Sequence, residues 1–413
     1  MKRLFAGPVV CLLLAGVVLS FPARGAVTLV EEGAFRWSLG GYARLLGGAQ
    51  IPNISEAPES AQLPQAVGLS SSILRLAWTF RFGDLATLEV HNRLFLRGVS
   101  SQALSSGLGA GVSRTPDRSL DTQSTFFSDG GFQLEHDLDR LVLRLFIGKL
   151  DLSIGRQAIS WGVSNLFTVA DVWAAFSPFD LDVSQKRGID AIRAGINLGN
   201  AELDIIVADR GPPDGDNLSG GVRATFYTDI ADVYVAAGKF WMDLGLAAGV
   251  VIPIDAFKVR LEAMASFALD EDRFRLPRVT AGFDWFATPE LMLTAELHFN
   301  GLGTSGDYAS HLADDITVAR GQSYLAGRFY GGLLAVWQAH ELVSLSLTAM
   351  VNATDPSALV AWSFTYSVAQ DVELGVGGFH GLGEGITIAA DLTLGSELGS
   401  YGQLVYLQLA AFF

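Results

Sequence analysis

Cysteine is almost missing from these 413 residues: the one present is Cys11. It lies in an apolar N-terminal run, so the rest of the chain cannot build a disulfide scaffold or a thiolate metal site. Charge is scarce as well, at 17% of residues, where an ordinary soluble chain carries about 25%. Basic residues are outnumbered by acids, 28 to 43. That balance argues against nucleic acid as a partner, since binding it wants a basic surface. After residue 26 no stretch approaches the roughly 18 uncharged apolar residues of a membrane helix. Yet half of the residues are hydrophobic and 10% are aromatic, which excludes disorder. An apolar chain without a membrane helix has two outlets. One is a large soluble β protein; the other is a barrel with lipid outside and water inside.

The first residues bear on the compartment. Lys2 and Arg3 precede an apolar run from Leu4 to Phe21, and small residues follow at Ala23, Gly25 and Ala26. This is the pattern of a secretory signal peptide over residues 1–26, cleaved near Gly25 or Ala26. Its removal takes Lys2, Arg3 and Arg24 with it and moves the formal charge from −15 to −18.

Beyond the signal the chain alternates with period two. In Ala86–Gly98, Leu88, Val90, Leu94 and Leu96 share one face; Thr87, Glu89, His91, Arg93 and Arg97 share the other. Phe257–Phe267 sets Val259 and Leu261 against Lys258, Arg260 and Glu262. Leu293, Ala295 and Leu297 alternate with Thr294, Glu296 and His298. Each segment is a strand with one apolar and one ionic face. The segments run about 9 to 14 residues, long enough to cross a bilayer at a tilt, whereas globular strands average about 5–6. Aromatics such as Trp78, Phe80, Phe82, Phe283, Trp285 and Trp337 recur at the ends of apolar faces, as interfacial girdles do.

Connections alternate between short turns and longer polar or Gly-rich segments. Eight short turns, from Gly83–Leu85 to Ala369–Asp371, interleave with nine other connections. The fold class expected is therefore all-β, a transmembrane antiparallel barrel of about 18 strands over residues 27–413. Sixteen is the alternative count, because the 231–251 region and the Ile386–Leu394 piece are ambiguous. Short turns face one side and long loops, including 49–68, 99–131 and 302–322, the other. A barrel of this size encloses an aqueous channel rather than a packed core.

Parity assigns ten cations to the lumen: Arg75, Arg81, Arg93, Arg97, Arg144, Arg193, Lys258, Arg260, Arg278 and Arg328. The acids on the same side are Glu89, Asp204, Glu262, Asp284 and Glu296. A basic excess in a wet channel favours anionic solutes; cross-pairing with neighbouring acids is the plainer alternative. Either way these side chains, Arg93, Arg97 and Arg260 among them, are expected to face water. The strongest candidate for a functional insert is 160–187. Asp171 is placed to cap a short helix ending before Pro178, and Trp173, Phe176 and Phe179 are too apolar for a free loop. Folded inward, it would narrow the lumen, with Asp171, Asp180, Asp182, Lys186 and Arg187 at the constriction. Packed outside, it would cover its neighbours or a partner barrel.

The run Gly155-Arg-Gln-Ala-Ile-Ser-Trp-Gly162, the Asp171-Val-Trp to Pro178 stretch and Gly188-Ile-Asp-Ala-Ile-Arg193 together resemble porin-like outer-membrane barrels of Gram-negative bacteria, distantly those near alginate-export and substrate-selective porins. The C-terminal segment Tyr401–Phe413, alternating and closing on Phe, is similar to the last strand of such barrels. The resemblance implies a channel in outer-membrane lipid with an inserted loop, without naming the solute; passive diffusion of small hydrophilic solutes is the function expected, and a preference for anions is a secondary expectation from the lumen arginines. A homotrimer is the assembly that porins of this size suggest. Two other functions are weighed beside it. One is a dedicated export or uptake barrel for a substrate such as an acidic polysaccharide; the other is a barrel enzyme. No Gly-x-Ser-x-Gly elbow or His-Glu-x-x-His pair occurs, so neither an enzyme nor a cofactor is expected.

Overall fold

The computed structural model describes residues 26–58, 63–101, 118–173, 185–209, 217–319, 322–389 and 392–413. All of the signal peptide expected over 1–26 except Ala26 lies outside them. Eighteen strands make the wall. They are β1 Phe35–Ile51, β2 Val67–Phe82, β3 Ala86–Val99, β4 Phe132–Ile147, β5 Leu150–Gln157 and β6 Ile189–Asn197. Next come β7 Ala201–Asp209, β8 Leu218–Tyr227, β9 Asp232–Phe240, β10 Asp243–Ile254, β11 Phe257–Ala268 and β12 Arg273–Thr288. The last six are β13 Leu291–Asn300, β14 Phe329–His340, β15 Val343–Asn352, β16 Ser357–Ala369, β17 Val372–Leu382 and β18 Gln403–Phe412. Each pairs antiparallel with its sequence neighbours, and β1 pairs with both β2 and β18, which closes the barrel. Closure leaves no strand edge to satisfy in lipid.

The two faces of each strand differ as alternation requires. On β13 Thr294, Glu296, His298 and Asn300 are buried, while Leu297 between them is 70% exposed. Leu261, Phe283, Leu333 and Trp337 are likewise exposed on the outside. A barrel apolar outside and polar inside is a solution for a bilayer, not for water.

The ambiguous regions resolve toward 18. Residues 232–254 form two wall strands, β9 and β10, joined by a turn in which Trp241 takes a positive φ of 61°. Ile386–Ile388 and Leu392–Leu394 leave the wall and form a three-stranded external sheet with Ile54–Glu56. Within the long connection before β4, Ser124–Asp129 pairs with the loop end of that strand, in line with the short β5. At the opposite end Val27–Glu32 pairs with Phe35–Leu39 of β1, continuing the line of β18 where it stops. The seam is tied by Gly41 N to Phe413 O at 2.7 Å and Phe413 N to Gly41 O at 3.0 Å.

The candidate lumen site and its inserted segment

Two neighbouring strands stop early. β5 and β6 have 8 and 9 residues, and between them the chain leaves the wall and turns inward. The described parts of this segment, 158–173 and 185–188, pack on the inner face. Trp161, Val169, Val172 and Trp173 form one buried cluster with Ile206, Tyr234, Phe240 and Met264 of the wall. Trp161 and Trp173 meet edge to face at 4.7 Å. Leu166 and Phe167 reach farther round, to Tyr330, Met350, Leu359, Phe379 and Leu404. This is where the apolar content of the segment goes: it becomes a core inside an otherwise polar barrel.

Backbone amides of the segment need acceptors once inside, and strand carboxylates supply them. Glu296 accepts from the amides of Asn165, Leu166 and Phe167 at 2.7, 3.0 and 3.0 Å. Glu262 accepts from the amides of Val163 and Val169 at 3.1 and 3.2 Å, from Ser164 Oγ at 3.1 Å and from Tyr234 OH at 2.6 Å. Arg260 donates to Val163 O at 3.0 Å and bridges Asp284 at 2.7 Å and Glu296 at 3.0 Å. Both glutamates are shut off from solvent, at 0% and 2% exposure. The acids of β11–β13 are therefore occupied in holding the segment.

Arg260 differs from expectation. It is 3% exposed rather than hydrated, because the insertion covers it, a contact no strand pattern can foretell. The Asp171 carboxylate accepts from the amides of Trp161 and Gly162 at 2.7 and 3.2 Å and pairs with Lys186 Nζ at 3.0 Å. The short helix expected after Asp171 falls mostly on residues outside those described; the same carboxylate ties the outgoing leg to the returning one. Asp180 and Asp182 lie outside the described residues.

The opposite wall, β2 to β6, is the basic one. Arg75 pairs with Asp139 at 2.8 Å and lies 3.0 Å from His91 Nδ1. Arg93 is buried beside it and packs 5.3 Å from the Phe95 ring. Arg97, Arg144 and Arg193 point inward but stay 38%, 45% and 36% exposed, so water reaches them. Their partners are Glu135 at 3.7 Å, Glu89 at 3.4 Å and Asp204 at 2.8 Å.

Three expected lumen cations are placed elsewhere or covered. Lys258 lies 5.5 Å over the Phe286 ring at the short-turn end. Arg278 is buried and donates to Gln322 O at 2.8 Å. Arg328 precedes β14 rather than lying on it, and donates to Gly303 O at 2.9 Å in the loop rim.

Several residues of this wall escape strand parity. Asp137, Asp139 and Arg140 are all buried, because β4 bulges against β3 between His91 and Asn92 and Asp139 is the extra residue. Arg118 and Arg156 join them: Arg118 pairs with Asp137 at 2.6 Å, and Arg156 with Asp190 at 2.7 Å. Near the loop rim Glu397 accepts from Ala326 N at 2.7 Å and Asn352 Nδ2 at 2.7 Å, and from Tyr330 OH. Burial pushes its carboxyl up to about 7.

A closed barrel of 18 antiparallel strands, lipid-compatible outside, charged inside and crossed by the connection after its fifth strand, decides the fold. The chain is a closed β-barrel of the porin fold. Solved structures of the same build agree. OccK5 (OpdH) of Pseudomonas aeruginosa superposes with a TM-score of 0.54 at 6% identity, over 91% of this chain and 98% of that one. OccK9 (OpdG) of the same organism gives 0.53 at 10% identity over the same shares. OpdK of Pseudomonas aeruginosa, solved with vanillate, gives 0.51 at 7% identity, again over 91% and 98%. No known family's sequence pattern matches the chain, and no curated protein matches it in sequence.

Proposed function

We propose that this porin-fold barrel sits in the outer membrane of a Gram-negative bacterium. There it acts as a diffusion channel for small hydrophilic solutes, with a preference for those carrying negative charge. One observation carries the proposal: the insertion is held against the acidic strands β11–β13, which leaves the arginines of β2–β6 to line the space beside it. Arg97, Arg144 and Arg193 remain wet there, while Glu262, Glu296 and Asp284 are covered. A focused positive potential beside a narrow passage concentrates anions and admits them faster than cations. The constriction is assigned to the segment around Asp171, Lys186 and Arg187. Vanillate is an organic anion, so its presence in OpdK is in keeping with this selectivity.

The test is swelling of liposomes loaded with the purified barrel. Entry of small sugars and, faster, of small organic acids is the expected result. Entry of one organic acid alone would favour a dedicated uptake path, and no swelling with any solute would defeat the channel.

A further inference from the structure

The insertion must come back to the wall, and the return leg 185–188 does so at Gly188. The fit there is close: a Cβ on Gly188 would stand 2.3 Å from Asp139 O. Gly188 N donates to Asp139 Oδ1 at 3.3 Å, and Lys186 O accepts from Arg140. Lys186 Nζ reaches Ser160 Oγ of the outgoing leg at 2.6 Å. One further side chain touches this point, and it comes from neither the insertion nor the wall. Arg118, in the external segment 118–123, donates from Nε to Gly188 O at 3.0 Å. Its Nη1 meets Asp137 at 2.6 Å and its Nη2 meets Asp139 at 3.4 Å.

We propose that Arg118 is a positioning residue: it fastens the return leg of the insertion to the wall and thereby holds the channel's narrowest part at its width. The proposal rests on the channel function above. Its guanidinium is 4% exposed and joins three things at once, namely the external segment, the bulge carboxylates of β4 and the return leg. Planar, fixed donors suit that task better than a lysine ammonium. The external segment has anchors of its own. Arg156 of β5 donates to Leu120 O and Thr122 Oγ1, Leu120 N donates to Asp190 at 3.1 Å, and Ser119 Oγ donates to Asp209 O at 3.1 Å. Arg118 thus pulls against a fastened strap, not a loose loop. Without it Asp137 and Asp139 are left to Arg75, Arg140 and Arg187, and Gly188 O loses a charged donor.

Cys11 is the one natural cysteine and lies in the N-terminal apolar run, so single reporters are readily made. Ile189→Cys, buried beside Gly188, reports on the return leg, and Ser346→Cys, inward on β15, serves as the distant control. With Arg118→Gln, labelling of Ile189→Cys by a membrane-impermeant maleimide is expected to rise about ten-fold, the scale of a lost charge-assisted hydrogen bond. The control should not change, and Arg118→Lys should fall between. An unchanged rate at 189, or an equal rise at both sites, overturns the proposal. In planar bilayers Arg118→Gln should broaden the open-state current and Arg118→Lys restore part of its sharpness; a quiet Arg118→Gln channel also overturns it. A wild-type barrel that passes no current defeats the channel function alone, since the labelling still shows whether Arg118 holds the leg.

Discussion

Arg260 and Glu296 lie 3.0 Å apart although the whole of β12 stands between their strands. Asp284 of that intervening strand meets the same guanidinium at 2.7 Å, so one cation ties three strands into a platform. The insertion rests on it through Val163 O on Arg260 and three amides on Glu296.

Removing that platform should release the insertion and leave the barrel closed. Glu296→Ala strips the acceptor from three shielded amides, each costing about 1–3 kcal/mol when left unmet. A larger, noisier single-channel conductance is expected, with heat-modifiable gel mobility retained. Glu296→Gln keeps one acceptor oxygen and should have a smaller effect. Wild-type conductance in Glu296→Ala would show that the insertion does not depend on this residue.

The wet arginines should tune selectivity without touching the fold. Changing Arg97 and Arg144 together to Gln should lower anion preference in reversal-potential measurements. Stability should barely move, because exposed ion pairs contribute about 0–1 kcal/mol each. Arg260→Gln is the contrast: it leaves two buried carboxylates without their cation, a loss of about 3–5 kcal/mol. A double variant that loses folding would mean these side chains are not hydrated.

The strands were legible because period two is written in every wall segment, and Glu296 next to Leu297 shows it plainly. The 18-strand count also followed from the turns, with the 386–394 piece resolved by its pairing to Ile54–Glu56. What parity could not reveal is where a strand miscounts. The bulge at Asp139 hides Asp137, Asp139 and Arg140 from any even–odd count. Nor could it reveal contacts between distant segments: Arg118 on Gly188, Asp171 on the Trp161 amide and Arg260 under Val163 all join parts of the chain with no shared period. Asp171 stands before an apolar run as helix caps do, and nothing in that pattern reveals that its carboxylate accepts from amides ten and nine positions earlier.

The external rim should respond to pH through Glu397. Its carboxyl stands at about 7 against an ordinary 4.5 because it is buried, so the folded rim binds a proton more tightly than the unlatched segment does. Stability is then fully present below about 4.5 and is lost as pH rises through 7; at 1.36 kcal/mol per unit the span is on the order of 3 kcal/mol. Protection factors in 383–389, 392–402 and 322–330, taken against the intrinsic exchange rate at each pH, should be higher at pH 5 than at pH 8, and Glu397→Gln should flatten the difference. Protection that increases with pH would reverse the sign.

Topology has its own check. Protease added to intact cells should cut within 52–66, 100–123 or 301–328, the long connections at the loop end. Cutting confined to the short turns, such as 148–149 or 370–371, would invert the barrel.

The most direct measurement is the reversal potential of single wild-type channels in a planar bilayer under a potassium chloride gradient. Open, ohmic steps with a reversal potential on the chloride side are predicted by an insertion that covers the acidic strands and leaves Arg97, Arg144 and Arg193 wet. Steps that reverse on the potassium side, or no steps at all, would contradict it.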